Sequence, residues 1–364
     1  MRRRVHRGAR ILGRRSWPAS MEETGATEAA TRLFEQRLPP HIARAPRRSR
    51  MSNQMDWISL DNALGEIHAL AASAIEAFSS APGKDADSVL FRDLPANVYH
   101  ADRDALSCSL LKPLLTSPAH FQAALVAQRK SSAAQDFGSL VHLLVLEPQH
   151  LSREVAVYPG IANSRDRDFK VFASANSHKI VVDEPTFSTA RRIAHKVATT
   201  RFRGRLLAQF IEESMTECSV YFTEPVTGLR LRVRFDAYHP EISFDLKTTR
   251  HAAPTEFARD AVVLSYDMQA YMYSLARSKF EGTSTPAPFV FISAETSAPY
   301  SVCTHLAGAT LIENGEAKLR ECLTTFKACT LVRHWPDLSC HTTLDIQPWQ
   351  QYQPGDHWRS ALAE

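Results

Sequence analysis

From Trp57 to Phe78 apolar residues recur at three- and four-residue spacing, which predicts an amphipathic helix. A polar linker from Ser79 to Ser88 follows, with Pro82-Gly83 inside it. Ser107 stands before Leu110, Leu111, Leu114 and Leu115 as the start of a short helix that stops at Ser117-Pro118. Pro118 opens a second helix that runs to Arg129. Gly138 to Leu146 reads as a helix apolar all round, and therefore buried. Short strands are expected at Val155 to Tyr158 and Lys179 to Val182, with a helix from Pro185 to Thr199.

The central section changes period. Ser219 to Phe222, Leu229 to Asp236 and Ile242 to Lys247 alternate with a period of two and are separated by turn residues, as in an antiparallel meander. Helices are expected at Glu256 to Val263 and Tyr266 to Ser278, strands at Phe289 to Ser293 and Tyr300 to Thr304, and a long helix at Leu311 to Val332. An irregular tail rich in Trp and Pro closes the chain. The fold class is α/β or α+β, a mixed central sheet flanked by helices and preceded by a helical section.

Composition narrows the classes. In 364 residues with 44% hydrophobic content there is material for a real core, which excludes wholly disordered and collagen-like chains. No apolar run reaches the ~18 residues of a membrane span. The six Cys include no CxxC pair, so the usual zinc and iron–sulfur spacings are missing. These features lead us to expect a soluble, cytoplasmic protein. The net charge of +4 is unevenly placed. Residues 1–50 hold thirteen Arg, no Lys and four Glu, or +9, and the remaining chain is at −5. The basic character thus belongs to a leader, residues 1–55, expected to be a disordered extension or to precede a later start at Met21, Met51 or Met55, with a DNA-contacting arm or a targeting segment as the alternatives.

The chemistry concentrates on two of the central strands. On the first, Leu229, Leu231, Val233 and Phe235 share one face, and Arg230, Arg232, Arg234 and Asp236 the other. On the second, Phe244 and Leu246 oppose Asp245 and Lys247. Asp236, Asp245 and Lys247 can therefore converge. Close carboxylates repel unless a divalent cation lies between them. Such a set suits Mg²⁺-assisted phosphodiester hydrolysis, with Lys247 orienting a water or stabilising developing charge. An exposed ion-pair face is the alternative reading of the same spacing. His142 interrupts an apolar helix and is either a core residue or a metal ligand. Tyr266, Gln269 and Tyr273 fall on one helical stripe, and the Arg230, Arg232 and Arg234 comb could follow phosphates.

Longer stretches carry a resemblance. Tyr99-His100, Leu106 to Leu111, Ser117 to His120 and Phe137 to Pro148, the last reading G-x-x-x-H-x-x-x-L-E-P from Gly138, resemble the N-terminal signature of the RecE-type exodeoxyribonuclease VIII family. Arg234-Phe235-Asp236 followed by Phe244-Asp245-Leu246-Lys247-Thr248-Thr249 resembles its R-P-D and D-x-K-T-T core, with Phe235 in place of the usual Pro. Gln269 with Tyr273 resembles the Q-x-x-x-Y element of RecB-like nucleases, and Glu295 with Pro299-Tyr300 matches a further segment.

That resemblance implies a PD-(D/E)xK restriction-endonuclease-like domain over residues 97–350, after a helix and linker at 56–96 and before a tail at 351–364. It implies His142, Asp236, Asp245 and the Leu246 carbonyl as ligands of Mg²⁺ or Mn²⁺. Lys247 is then the catalytic lysine, with Gln269 and Tyr273 beside it. The activity implied is exonucleolytic degradation of linear double-stranded DNA from its ends, 5′→3′, in phage or prophage recombination. Its implied partners are DNA ends, further copies of the chain in a ring and a single-strand annealing protein. A RecB-like or restriction-type nuclease, or an inactive DNA-binding module on the same fold, are the alternatives.

Overall fold

The computed structural model describes residues 80–345, apart from 85–86, 128–131, 286 and 340–342. The leader, the helix expected at Trp57 to Phe78 and the tail at 351–364 lie outside the described residues.

Eleven strands form three sheets among the described residues. In chain order they are β1 (Ser80–Pro82), β2 (Ser88–Phe91), β3 (Val155–Tyr158), β4 (Ile180–Asp183), β5 (Arg201–Phe202), β6 (Arg205–Leu206), β7 (Met215–Thr223), β8 (Arg230–His239), β9 (Ile242–Thr249), β10 (Phe289–Glu295) and β11 (Val302–Leu306). The main sheet has the order β1-β2-β7-β8-β9-β10-β11 and is mixed: β9 and β10 are parallel, their neighbours antiparallel. The polar linker expected at Ser79 to Ser88 contributes β1 and opens β2, so the sheet edge begins there.

The helices are α1 (Ala96–Ala101), α2 (Cys108–Leu111), α3 (Pro118–Val126), α4 (Ala133–Leu146), α5 (Leu151–Glu154), α6 (Arg167–Ala175), α7 (Glu184–Thr199), α8 (Leu207–Glu212), α9 (Pro254–Val263), α10 (Tyr266–Glu281) and α11 (Ala309–Val332). One face of the sheet packs on α2, α10 and α11 through Leu111, Val233, Phe235, Met268, Met272 and Leu319. The other packs on α4, α7 and α8 through Leu140, Ile193, Phe210, Phe244, Leu246 and Ile292. Burying both faces explains why β10 reads as a near-continuous apolar run.

Helix α4 departs from expectation. It starts at Ala133 because Ser132 and Gln135 form a capping box, which satisfies two otherwise orphaned amides. It buries a stripe (Leu140, Val141, Leu143, Leu146) and is not apolar all round in its surroundings: His142 lies on a half-buried flank.

A second departure shapes the site. β7 and β8 keep one register from Met215↔Tyr238 to Thr223↔Arg230, which sets Glu217 opposite Asp236. Glu217 has a left-handed φ of 53°. Cys218, Phe235 and Tyr238 share one core, and Met215 packs against it. A regular strand would put residues three apart on opposite faces. The alternation therefore slips at this step in both strands, and the pair Glu217 and Asp236 is turned out of the regular pleat.

Candidate active site

The site opens where β8 and β9 part. Their ladder covers Ala237↔Phe244, Tyr238↔Ser243 and His239↔Ile242 and goes no further. The Leu246 amide instead donates to Asp236 Oδ2 at 2.7 Å. Its carbonyl lies 2.7 Å from His142 Nε2. A carbonyl can only accept, so Nε2 carries a proton and the neutral ring keeps its lone pair on Nδ1. That nitrogen is 3.6 Å from Asp236 Oδ2. Both main-chain groups of one residue thus hold the carboxylate and the imidazole in place.

Asp245 points to the α10 side and is 1% exposed. Gln269 Nε2 donates to its Oδ1 at 2.6 Å, and the Lys247 ammonium approaches its Oδ2 to 2.5 Å. Lys247 Nζ also lies 4.9 Å from the centre of the Tyr266 ring, within reach of a cation–π contact. The start of α10 fixes Tyr266 and Gln269. Ser265, at φ 54°, makes the corner. The buried Asp267 beyond it is gripped by Asn314 and, at 2.8 Å, by Lys318 of α11. Gly315 allows this: a Cβ there would lie 2.0 Å from the Asp267 carbonyl oxygen.

Charge is confined in this space. Burial, reinforced by Asp245 and opposed by His142, pushes the Asp236 carboxyl up to about 7. Burial would depress the Lys247 ammonium, but Asp245 and Asp236 outweigh it and hold the group above its ordinary value. Burial, then the nearby Glu217, raises Glu147 as well. Cys108 is pushed up to about 11 by burial and stays a thiol.

Ligand atoms of His142, Glu217 and Asp236 all fall within 4.8 Å of one another. Two carboxylates and an imidazole, with the Leu246 carbonyl alongside, make an oxygen-rich donor set that fits Mg²⁺ or Mn²⁺. A cation would also relieve the crowding that raises Asp236. Glu217 is the member sequence reasoning missed. The strand expected from Ser219 stops two residues short of it, and extending the hairpin register would have placed it across from Asp236.

His142, Asp236 and the Leu246 carbonyl come together as expected, and Asp245, Lys247 and Gln269 form an adjoining group. Tyr273 stands one turn beyond Gln269, its ring edge-on to Phe235 at 5.1 Å and Phe289 at 5.8 Å. Burial first, and then nearby charges that include Asp245 and Asp236, hold its phenol protonated. The arginine comb is not a row of free cations. Arg232 is 2% exposed, 3.1 Å from Asp102 and 4.7 Å from the Tyr99 ring centre. Arg234 donates to Glu217 at 2.7 Å and to the Leu94 carbonyl, and Arg230 donates to the Asp87 carbonyl. Arg232 and Arg234 are covered and serve the fold, and Arg230 stays exposed at the end of the strand.

Residues 107–344 match the family described as a PDDEXK-like domain of unknown function, DUF3799. The chain belongs to that family. The match spans both halves of the site, from α4 through β7–β9 to α10 and α11. Among solved structures the chain is similar to a presumed exonuclease from Eubacterium rectale, at 15% identity over 69% of this chain and 96% of that one, with a TM-score of 0.42. It is also similar to the protein SSO0001, at 13% identity over 58% of this chain and 84% of that one, with a TM-score of 0.23. No curated protein matches it. Among the described residues no helix is long and apolar enough to cross a membrane.

Proposed function

We propose that this chain is a metal-dependent exodeoxyribonuclease of the RecE type that degrades linear double-stranded DNA from its ends, 5′→3′, with Mg²⁺ or Mn²⁺ as cofactor. The observation that carries the reading is Asp245 held between Lys247 and Gln269, beside the Asp236 and His142 pair. His142, Asp236, Asp245 and the Leu246 carbonyl, with Glu217, would hold the metal. When bound, the metal lowers the pKa of a coordinated water and offsets charge on the phosphoryl group.

The chain's own groups supply the rest. Lys247 keeps its proton beside two carboxylates and offers a fixed cation to charge developing on the phosphate. Gln269 sets the rotamer of Asp245, and the Tyr266 ring limits the swing of Lys247. Tyr273 backs the same helix face through its packing. The nuclease unit in this reading is residues 97–350, acting in the cytoplasm as a homo-oligomeric ring with a single-strand annealing partner in phage-type recombination. A ring passes a free end but not a closed circle.

The test is purified protein incubated with end-labelled linear duplex and with a relaxed circle of the same sequence, with and without Mg²⁺. Loss of the linear DNA alone, and with metal alone, is expected. Nicking of the circle would favour a restriction-type nuclease, and survival of both would leave a DNA-binding module.

A further inference from the structure

Helix α7 lies outside the site and differs from the rest of the body in charge. From Pro185 to Ile211 the chain has six Lys or Arg and neither Asp nor Glu, although residues 51–364 are net −5. Arg191, Arg192, His195 and Lys196, at i, i+1, i+4 and i+5, share the exposed side of α7. With Ser188 and Tyr300 they line an open cavity of about 460 Å³. No described residue gives the side chain of Arg191, Arg192 or His195 a hydrogen bond or an ion pair; the His195 main-chain carbonyl is engaged by the Thr199 hydroxyl. Lys196 Nζ donates to the Pro299 carbonyl at 2.7 Å, fastening α7 to the loop that leaves β10. That loop begins where the Thr296 amide donates to the carbonyl of Thr249, two residues past Lys247 on β9. One loop therefore joins the catalytic strand to the basic cavity. The leader, at +9, has the wrong sign to cover it.

We infer that α7 and this loop form a second DNA contact, a surface that holds the sugar–phosphate backbone away from the cutting site. It rests on the reading of the chain as a nuclease acting on DNA. Like charges held concave and unpaired suit a polyanion, and contact through phosphate alone carries no sequence preference. Such a surface would retain DNA between successive cuts in a body that is otherwise net negative.

The experiment is fluorescence anisotropy with a labelled linear duplex and the full chain in EDTA, which stops cleavage, across a salt series. An Arg191→Ala/Arg192→Ala variant is compared with wild type and with Arg191→Lys/Arg192→Lys. All three should melt alike, because both side chains are exposed. The alanine variant should bind about tenfold more weakly at low salt, with a log–log salt slope shallower by roughly two, and the lysine variant should recover both. The loss should be equal for unrelated sequences. Equal affinity and slope in wild type and alanine variant, or no binding by wild type, would overturn the inference. Cleavage assays with Mg²⁺ separate the two readings. A wild type that binds through Arg191 and Arg192 but never cuts refutes the nuclease alone, and an alanine variant that binds normally while wild type cuts refutes the second contact alone.

Discussion

Glu217 faces Asp236 across the β7–β8 ladder, and it does so from a left-handed backbone conformation that non-glycine residues seldom adopt. Strain of this kind, on the order of 1–3 kcal/mol, persists where the surroundings enforce it and collects at functional sites. Here it brings a second carboxylate to within ligand distance of His142 and Asp236.

Substituting Glu217 separates the two effects. Glu217→Ala and Glu217→Gly both delete the carboxylate and should lower Mn²⁺ affinity by about 10–100-fold, measured by calorimetry, a range typical for groups that support a metal site. The glycine variant should be more stable than the alanine variant by about 1 kcal/mol in urea melts, since glycine alone has no Cβ penalty there. Equal stability would mean that the φ of 53° costs nothing.

Loss of Lys247 should affect chemistry and leave the native secondary structure in place, at reduced stability because Asp245 stays buried without its counter-ion. Lys247→Ala is expected to reduce cleavage of linear duplex by about 10²–10³-fold, as for removal of one group that stabilises developing charge. Asp245→Ala should abolish cleavage. Circular dichroism of both should match wild type, and near-normal cleavage by Asp245→Ala would remove the basis of the proposed function.

Asp236 makes metal-free stability depend on pH with an unusual sign. Its carboxyl is raised in the folded state, so between its unfolded value near 3.8 and about 7 the native protein binds more protons than the unfolded chain. Stability of the metal-free protein should therefore fall as pH rises through that window. Asp236→Asn should flatten this slope, and saturating Mg²⁺ should do the same by favouring the ionised carboxylate. Melting temperatures of wild type and Asp236→Asn from pH 4.5 to 7.5 in EDTA would show it as their difference, and identical slopes would contradict the burial of Asp236.

Arg232 tests whether the arginine comb supports the fold. Its guanidinium is buried against Asp102 and the Tyr99 ring. Breaking such a pair from one side strands a buried charge, so Arg232→Ala or Asp102→Ala should cost about 3–5 kcal/mol in denaturant melts. A surface arginine that only contacts DNA would leave stability unchanged.

Period-two alternation placed the meander, and a turn at each end fixed its order, so β7, β8 and β9 were legible in the chain. The D-x₈-D-x-K spacing was legible for the same reason, because a short hairpin brings those positions side by side. Three things were not. The slip in alternation at Glu217 and Asp236 depends on one left-handed residue that is a glutamate, which no turn signal marks. The burial of Arg232 depends on Asp102 and Tyr99, far away in sequence. The elements α6, α8 and the β5–β6 hairpin are short; Phe202 and Phe210 pack on Phe244 to hold α8 and the hairpin, and Phe169 and Phe172 pack on Tyr158 to hold α6. His142 was visible as an oddity in an apolar run, but its partner, a main-chain carbonyl, has no residue type to announce it.

The clamp of α11 on Asp267 sets an order in time. The strands bearing Asp236, Asp245 and Lys247 leave the ribosome well before Asn314, Gly315 and Lys318 exist. Until those residues arrive, Asp267 lacks the grip of α11, and the corner at Ser265 that aims Gln269 at Asp245 rests on local main-chain hydrogen bonds. The emerging chain thus carries its acidic residues and its lysine in an unassembled state, and α11, the last helix among the described residues, completes the site. A site built this way stays incomplete while the chain is still attached to the machinery that makes it.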